Sequence, residues 1–354
     1  MEMDEFQHRD FVWTWKSNHT SGRASLWLPY FQSVRKVKGT RWLFTYKGGE
    51  FEADLKRVDF VMLYGASGII PVDFLDDLHS HRICLSIHRR NIPTPYVFAP
   101  TPTTDEVDAL TRQIEIRQHQ QKCTYIARTL IRARMNSMSW LIRSSATNLK
   151  KLAAANSVER VRALEAQETK RYWSAYFDRL GVDVARRDTG PFNSALNAGS
   201  MFLFGVILRW VLFHKLSPSH GYLHQPSSYP SLAYDLMEPY RYLIEMAVAE
   251  SWEEWDDPDK LVAASISRLK AQLDESVYVP ATRQTVRRKN LLHGVVLALR
   301  SYLLGEVPRL VLPIEGARKG GRPPKAGYKL PGGSTSGRIA GLLVGAGPAR
   351  RPHP

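Results

Sequence analysis

One boundary governs how this chain can fold. Pro93, Pro95, Pro100 and Pro102 crowd residues 93–102, and the hydrophobic rhythm differs on the two sides. Upstream it is that of strands. Residues 41–46 form a short aromatic run, Lys47-Gly48-Gly49 is a hairpin turn signal, and residues 50–55 supply the returning strand. Residues 58–64 are an apolar stretch rich in β-branched and aromatic side chains, stopped by Gly65. Phe74, Leu75 and Leu78 recur at helical spacing within 71–80, and 83–87 and 97–99 read as further strands. Residues 1–40 interleave aromatic and basic side chains without a clear period. Downstream, Thr103-Thr104-Asp105 is a helix-start cluster, and residues 105–180 contain no proline. Helices are predicted over 112–143, 158–180, 191–214, 229–249, 258–275 and 281–304. The expected fold class is therefore α+β: a small N-terminal β-sandwich-like domain over residues 1–104, then a larger all-α domain over 105–315. Residues 316–354 form a separate tail.

Charge points to the partner. Lys and Arg total 49 against 34 Asp and Glu, a formal net charge of +15. Each cation placed on a phosphate releases a condensed counterion, so nucleic acid is the first expected partner and an acidic membrane surface the second. The tail holds Arg318, Lys319, Arg322, Lys325, Lys329, Arg338, Arg350 and Arg351, no acid, and many Gly and Pro. Its Gly-Gly-Arg-Pro-Pro-Lys step, with Arg322 and Lys325, fits either an extended reader of a narrow minor groove or a solvated basic tail. Along 117–143, Arg128, Arg132 and Arg134 stand among further cations and are expected to contact phosphate.

Several classes are excluded. Cys84 and Cys123 are too few for a disulfide framework or a zinc cluster. The first residues lack the basic and apolar regions of a signal peptide. The most apolar segment, 198–213, is interrupted by Arg209 and falls short of a bilayer span, so it reads as a buried core helix. A cytoplasmic protein without a membrane span is expected.

The residues able to carry chemistry lie between 165 and 241. On one helix face stand Glu165, Glu168 or Thr169, and Tyr172. Asn193 and Asn197 lead into the apolar helix, as supporting amide donors or simple caps. A third group opens with Gly221-Tyr222-Leu223-His224 and continues to Asp235, Glu238 and Arg241, with the two carboxylates at i and i+3. Magnesium takes oxygen ligands and manganese also accepts imidazole, so a glutamate, a histidine and a further carboxylate suit a hard divalent ion. The acidic run from Trp252 to Asp259 reads instead as the N-terminal cap of a following helix.

These segments, in this order, resemble the CRISPR-associated integrase of spacer acquisition, the Cas-one family. Glu165 stands seven residues ahead of the Tyr172-Trp173 pair, and Asn193 to Asn197 loosely match an Asn-x-x-Leu-Asn element. The family's Gly-aromatic-Leu-His element is matched at 221–224, and its Leu-Ala-x-Asp-Leu-x-Glu-Pro-aromatic-Arg element at 232–241. The strand at 58–64 ending in glycine is similar too. Ala166 departs from the glycine common in the family and leaves the carboxylate intact. The resemblance spans residues 40–310. It implies that Glu165, His224 and Glu238 bind Mg2+ or Mn2+, that Asp235 supports them, and that Tyr172 contacts DNA or a water near the site. It further implies a homodimer acting on double-stranded DNA with a small Cas-two-type bridging protein. A transposon-type integrase and a catalytically silent DNA-binding scaffold are the alternatives.

Overall fold

The computed structural model describes residues 13–16, 24–89, 92, 95–99, 108–186, 188, 190–226, 228–254 and 260–317. The chain opens with β1 (Trp13–Lys16), β2 (Ala24–Pro29), β3 (Phe31–Lys38), β4 (Arg41–Tyr46), β5 (Gly49–Asp54) and β6 (Val58–Tyr64). Helix α1 (Val72–Ser80), β7 (Cys84–His88) and β8 (Tyr96–Phe98) follow. They make two sheets, one in the order β1-β2-β6-β7-β8 and one in the order β3-β4-β5. Strands β2, β6 and β7 run parallel, while β1 and β8 flank them antiparallel.

The apolar run in β6 has a physical cause. Val61 and Leu63 face the core shared with Phe44, Trp42 and the α1 residues Phe74 and Leu78, whereas Phe60 and Met62 join the core of the helical region. A strand covered on both faces needs apolar residues at every position, not at alternate ones.

The helices are α2 (Ala109–Arg117), α3 (Gln120–Ser137), α4 (Ala146–Ala154), α5 (Val158–Leu180) and α6 (Pro191–Phe213). Then come α7 (Ser231–Met237), a 3-10 turn at Glu238–Tyr240, α8 (Arg241–Glu254) and α9 (Leu261–Asp274). A hairpin of β9 (Ser276–Val279) and β10 (Gln284–Arg287) leads into α10 (Lys289–Leu303). Helix α5 starts on Ser157, whose hydroxyl accepts from the Arg160 amide, and stops at Gly181 with φ +63°. Helix α6 is the centre of the region. Its best 18-residue window has a mean hydropathy of 1.6 and is 72% buried within the protein, as expected of a core helix. At Gly205 a Cβ would lie 1.7 Å from the Met62 Cε and 3.3 Å from the Phe60 ring, so glycine is what lets α6 seat against β6.

Several expectations change. Three strands occupy the region 1–40, which showed no period. The single helix at 112–143 is broken at Gln118-His119 into α2 and α3, and the start is set by Asp108, whose carboxylate accepts from the Thr111 amide. Thr103-Thr104-Asp105 lie outside the described residues. The stretch 281–304 is half hairpin and half helix, so the region is not purely α-helical. Most of the acidic run at 252–259 lies outside the described residues, as do Arg322, Lys325 and the rest of 318–354. Both cysteines are buried, and neither forms a disulfide.

Three imidazoles, with His88 and His293 buried and His214 partly exposed, couple this fold to pH. Burial pulls His88 down to about 4 from 6.5, and burial with the Arg300 and Arg209 charges pulls His214 down to about 3. His293 is pushed well below 6.5 by burial and by His214, whose Nε2 lies 2.8 Å from its own. The unfolded chain takes up these protons near pH 6.5 and the folded chain only far below, so the stability is full above 6.5 and drains as pH falls. Each imidazole contributes a slope of about 1.4 kcal/mol per pH unit in that interval. Chemical denaturation at pH 7.5, 6.0 and 5.0 should show a steady loss of stability; a flat profile would mean that the imidazoles are not held neutral.

Candidate metal centre

The centre is built around one carboxylate. Asp235, on α7, is fully buried and accepts four hydrogen bonds: Tyr222 N at 2.6 Å, Leu223 N at 2.8 Å, His224 N at 3.0 Å and His224 Nδ1 at 2.8 Å. Three successive amides of the loop thus converge on one side chain. A Cβ on Gly221 would come 2.8 Å from the Asp235 Oδ2 and 2.5 Å from the His224 carbonyl, so the loop can wrap this closely only with glycine there. Because its partner is a carboxylate, His224 Nδ1 must carry the proton. That leaves Nε2 with a lone pair and, among the described residues, no protein partner. Asp235 is saturated by this duty and holds the imidazole in place.

Glu238 follows on the 3-10 turn, 4% exposed, with Oε1 accepting from Arg241 at 3.0 Å and Oε2 3.9 Å from the Arg134 Nε. Pro239 lacks an amide hydrogen and ends the α7 ladder at this point. Glu165 is half-buried on α5, where Oε1 accepts from the Thr169 hydroxyl at 3.0 Å. Glu165, His224 and Glu238 lie near enough to act on one another's charge. Burial and then the Glu238 charge push the Glu165 carboxyl above the usual carboxylate range. Burial alone would raise Glu238 as well, but Arg241, Arg134 and His224 outweigh it and hold its carboxyl low. For His224, burial lowers the pKa, and the Asp235 hydrogen bond and charge, with Glu238 and Glu165, more than reverse this.

A buried network supports Glu238 from below. Arg134 on α3 makes two hydrogen bonds to Glu245 on α8, at 3.0 and 2.5 Å. The Tyr172 hydroxyl donates to the same carboxylate at 2.6 Å and accepts from Trp140 Nε1 at 3.1 Å. This corrects two expectations. Arg134 is 2% exposed and committed to carboxylates, so it is not a phosphate contact. Tyr172 is fully buried, and burial followed by the Glu245 charge raises its phenol far above the usual range; it orders Glu245 and does not face DNA.

Arg128, expected to contact phosphate, is only partly buried. Its guanidinium donates to the Ala153 and Ala155 carbonyls at 2.9 and 3.3 Å, tying α3 to the end of α4. Arg132, on the same helix, is exposed as expected of a phosphate contact. Asn193 and Asn197 both accept from Arg186, at 3.4 and 2.8 Å, and Asn193 donates to the Ala185 carbonyl at 2.9 Å. They arrange the loop before α6 and do not reach the carboxylates directly. Sequence reasoning overlooked Glu245 and Arg186. Glu245 did leave a signal: it is a lone acid within the apolar run from Tyr242 to Val248.

Two carboxylates and an imidazole are the donor set that a hard divalent ion prefers, and the strain between Glu165 and Glu238 is what a cation would relieve. Among the described residues, however, no three such side chains are already gathered into a ligand shell. Each glutamate instead leans on a neighbour one helical turn along. The donor types fit; the side chains have to turn.

Removing Glu245 would strand the buried Arg134 and the Tyr172 hydroxyl, so Glu245→Ala should cost about 3–5 kcal/mol of unfolding free energy. Asp235→Asn replaces an acceptor by a donor facing loop amides and should cost about 1–3 kcal/mol. Denaturant titration reads both; wild-type stability in either variant would remove that side chain from the support described.

Comparison with known proteins agrees with this architecture. The family described as CRISPR associated protein Cas1 matches residues 31–254. A protein of Pyrobaculum aerophilum named CRISPR-associated endonuclease Cas1 2 is 32% identical over 143 residues, 39% of this chain and 48% of its own length. The chain spans about half the length of the first curated relatives it matches. Among solved structures, a casposase bound to integration product superposes with a TM-score of 0.69 at 20% identity, over 82% of this chain and 93% of its own. A CAS1 protein from Thermotoga maritima gives 0.66 at 18% identity, over 83% and 100%. Likeness at that identity speaks for the fold. The matched residues cover well over half of the sequence, and the chain belongs to the CRISPR-associated protein Cas1 family.

Proposed function

We propose that this protein is a metal-dependent DNA integrase and endonuclease that inserts short duplex DNA into a CRISPR array. The supporting observation is the Asp235-oriented imidazole of His224, with Nε2 uncommitted and the Glu165 and Glu238 carboxylates within its electrostatic reach. Glu165, His224 and Glu238 would hold Mg2+ or Mn2+. Bound there, the ion would supply charge stabilisation on the phosphate and orientation of the attacking oxygen. Asp235 keeps Nδ1 protonated throughout, so Nε2 remains the coordinating nitrogen. Arg241 and Arg134 offset the negative charge of Glu238, so that it stays ionised while buried. In the reaction a 3′-hydroxyl of the incoming duplex forms a new ester with the target phosphorus, and the target strand leaves with a free 3′-hydroxyl. Attack by water at the same phosphorus gives the endonuclease.

The relatives' names support the nuclease class, and the casposase neighbour supports joining chemistry on this fold. Double-stranded DNA, a homodimer, a small Cas-two-type bridging protein and a cytoplasmic location complete the proposal, together with a division of the chain at residues 104/105 and 315/316. A transposon-type integrase is the second reading, favoured by the same casposase likeness.

The test is metal-dependent joining of a labelled duplex to a plasmid. Glu165→Ala and His224→Ala should each lower joining at least a hundredfold by loss of a ligand, with folding and duplex binding retained. Joining at wild-type rate would take that residue out of the mechanism. Preference for plasmids carrying terminal inverted repeats over those carrying a repeat array would support the transposon reading instead.

A further inference from the structure

Arg186 lies in the segment between α5 and α6 and has an unusual environment. Its guanidinium donates to Asn197 at 2.8 Å and Asn193 at 3.4 Å, both neutral amide oxygens, and sits over the Trp173 ring at 5.5 Å. Among the described residues no carboxylate comes within ion-pair distance of it. This contrasts with the cations around it. Arg134 and Arg241 are each paired with a buried glutamate. Arg186 is half-buried; burial and the Arg241 charge disfavour its charged form, and the Glu245 charge offsets them only in part. A protein that holds a guanidinium out of bulk water, against another guanidinium, with only amides to receive it, bears a cost that an arriving anion would reverse. The Trp173 ring lies against the guanidinium, and the N–H groups not given to the asparagines are available for bidentate contact.

We infer that Arg186 is a phosphate-binding residue for the DNA substrate, gripping a backbone phosphate beside the one held at Glu165, His224 and Glu238. Asn193 and Asn197 are positioning residues that act through it. The assignment rests on the proposed function for its substrate. It goes beyond that reading by naming a contact outside the ligand set and explaining the asparagine pair at i and i+4.

A salt series tests it on the full-length protein. Binding of a labelled duplex, and of the same duplex with a single-stranded 3′ extension, is measured across salt concentrations for wild type, Arg186→Gln, Arg186→Lys and Asn197→Asp. Losing one phosphate contact should flatten the slope of log affinity against log salt by roughly 0.9 for a duplex phosphate or roughly 0.7 for a single-stranded one. Arg186→Gln should flatten it. Arg186→Lys should keep the slope while losing bidentate geometry, with several-fold weaker affinity. Asn197→Asp leaves the arginine in place but gives it a carboxylate, and should reproduce the flattening even where Arg186→Gln folds poorly. Unchanged slopes in both Arg186→Gln and Asn197→Asp would overturn the inference and make Arg186 a loop strut. Should wild type bind DNA with the full slope yet never join strands, the integrase reading fails while the phosphate contact stands.

Discussion

The arrangement depends on burying a guanidinium. Arg134 sits at the meeting of α3, α5 and α8, and Glu245 answers it with both oxygens while Tyr172 and Trp140 complete the shell. Stripping two charges of water costs several kcal/mol apiece, and the pair repays this only when every remaining donor and acceptor is satisfied. Such a network tolerates one geometry. Its consequence reaches the site because the Arg134 Nε also lies 3.9 Å from Glu238. An apolar replacement could serve stability equally well, but would not fix the carboxylate of Glu238 at a defined height above the core.

Packing sets where the other two ligand candidates lie. Glu165 is delivered by α5, whose start is fixed by the Ser157 cap and whose aromatic face, Tyr172, Tyr176 and Phe177, is buried in the helical core. His224 comes from a loop with no regular structure, which is why Asp235 must take all three of its amides. The two carboxylates of α7 and its turn thus divide the labour. Asp235 spends its charge on the backbone and the imidazole, while the charge of Glu238 is offset by Arg241 and Arg134.

Much of this was legible in the residues. Strands β4 to β8 announced themselves through alternation, the Lys47-Gly48-Gly49 turn and the doubly covered run at Val58–Tyr64. Helix α5 was read to its last residue because cap and stop are both local signals. What stayed hidden is set by distant partners. Strands β2 and β3 sit in a segment without period because the buried positions of β2 are divided between two cores. Strand β10 was swallowed by the helix assignment at 281–304 because Gln284–Arg287 carries no turn residue of its own. At the site, residue types gave the candidates, yet Arg134, expected on phosphate, and Tyr172, expected on DNA or a water, belong to the interior. A cation in a sequence looks the same whether it faces phosphate or a buried glutamate. Only the position of Glu245, a turn beyond Arg241, decides it.

The same bookkeeping of charge clarifies why Glu165 and Glu238 differ. They share a neighbourhood, and like charges there cannot both be ionised without help. Arginines help Glu238 and hold its carboxyl low; Glu165 has only a hydroxyl one turn along and a more distant imidazole and guanidinium, and its carboxyl rises. Were a divalent ion bound there, it would favour the ionised form of both carboxylates. The resting structure therefore keeps one carboxylate armed and the other partly restrained. Donors of the right type thus stand near one another without a ready-made shell among the described residues.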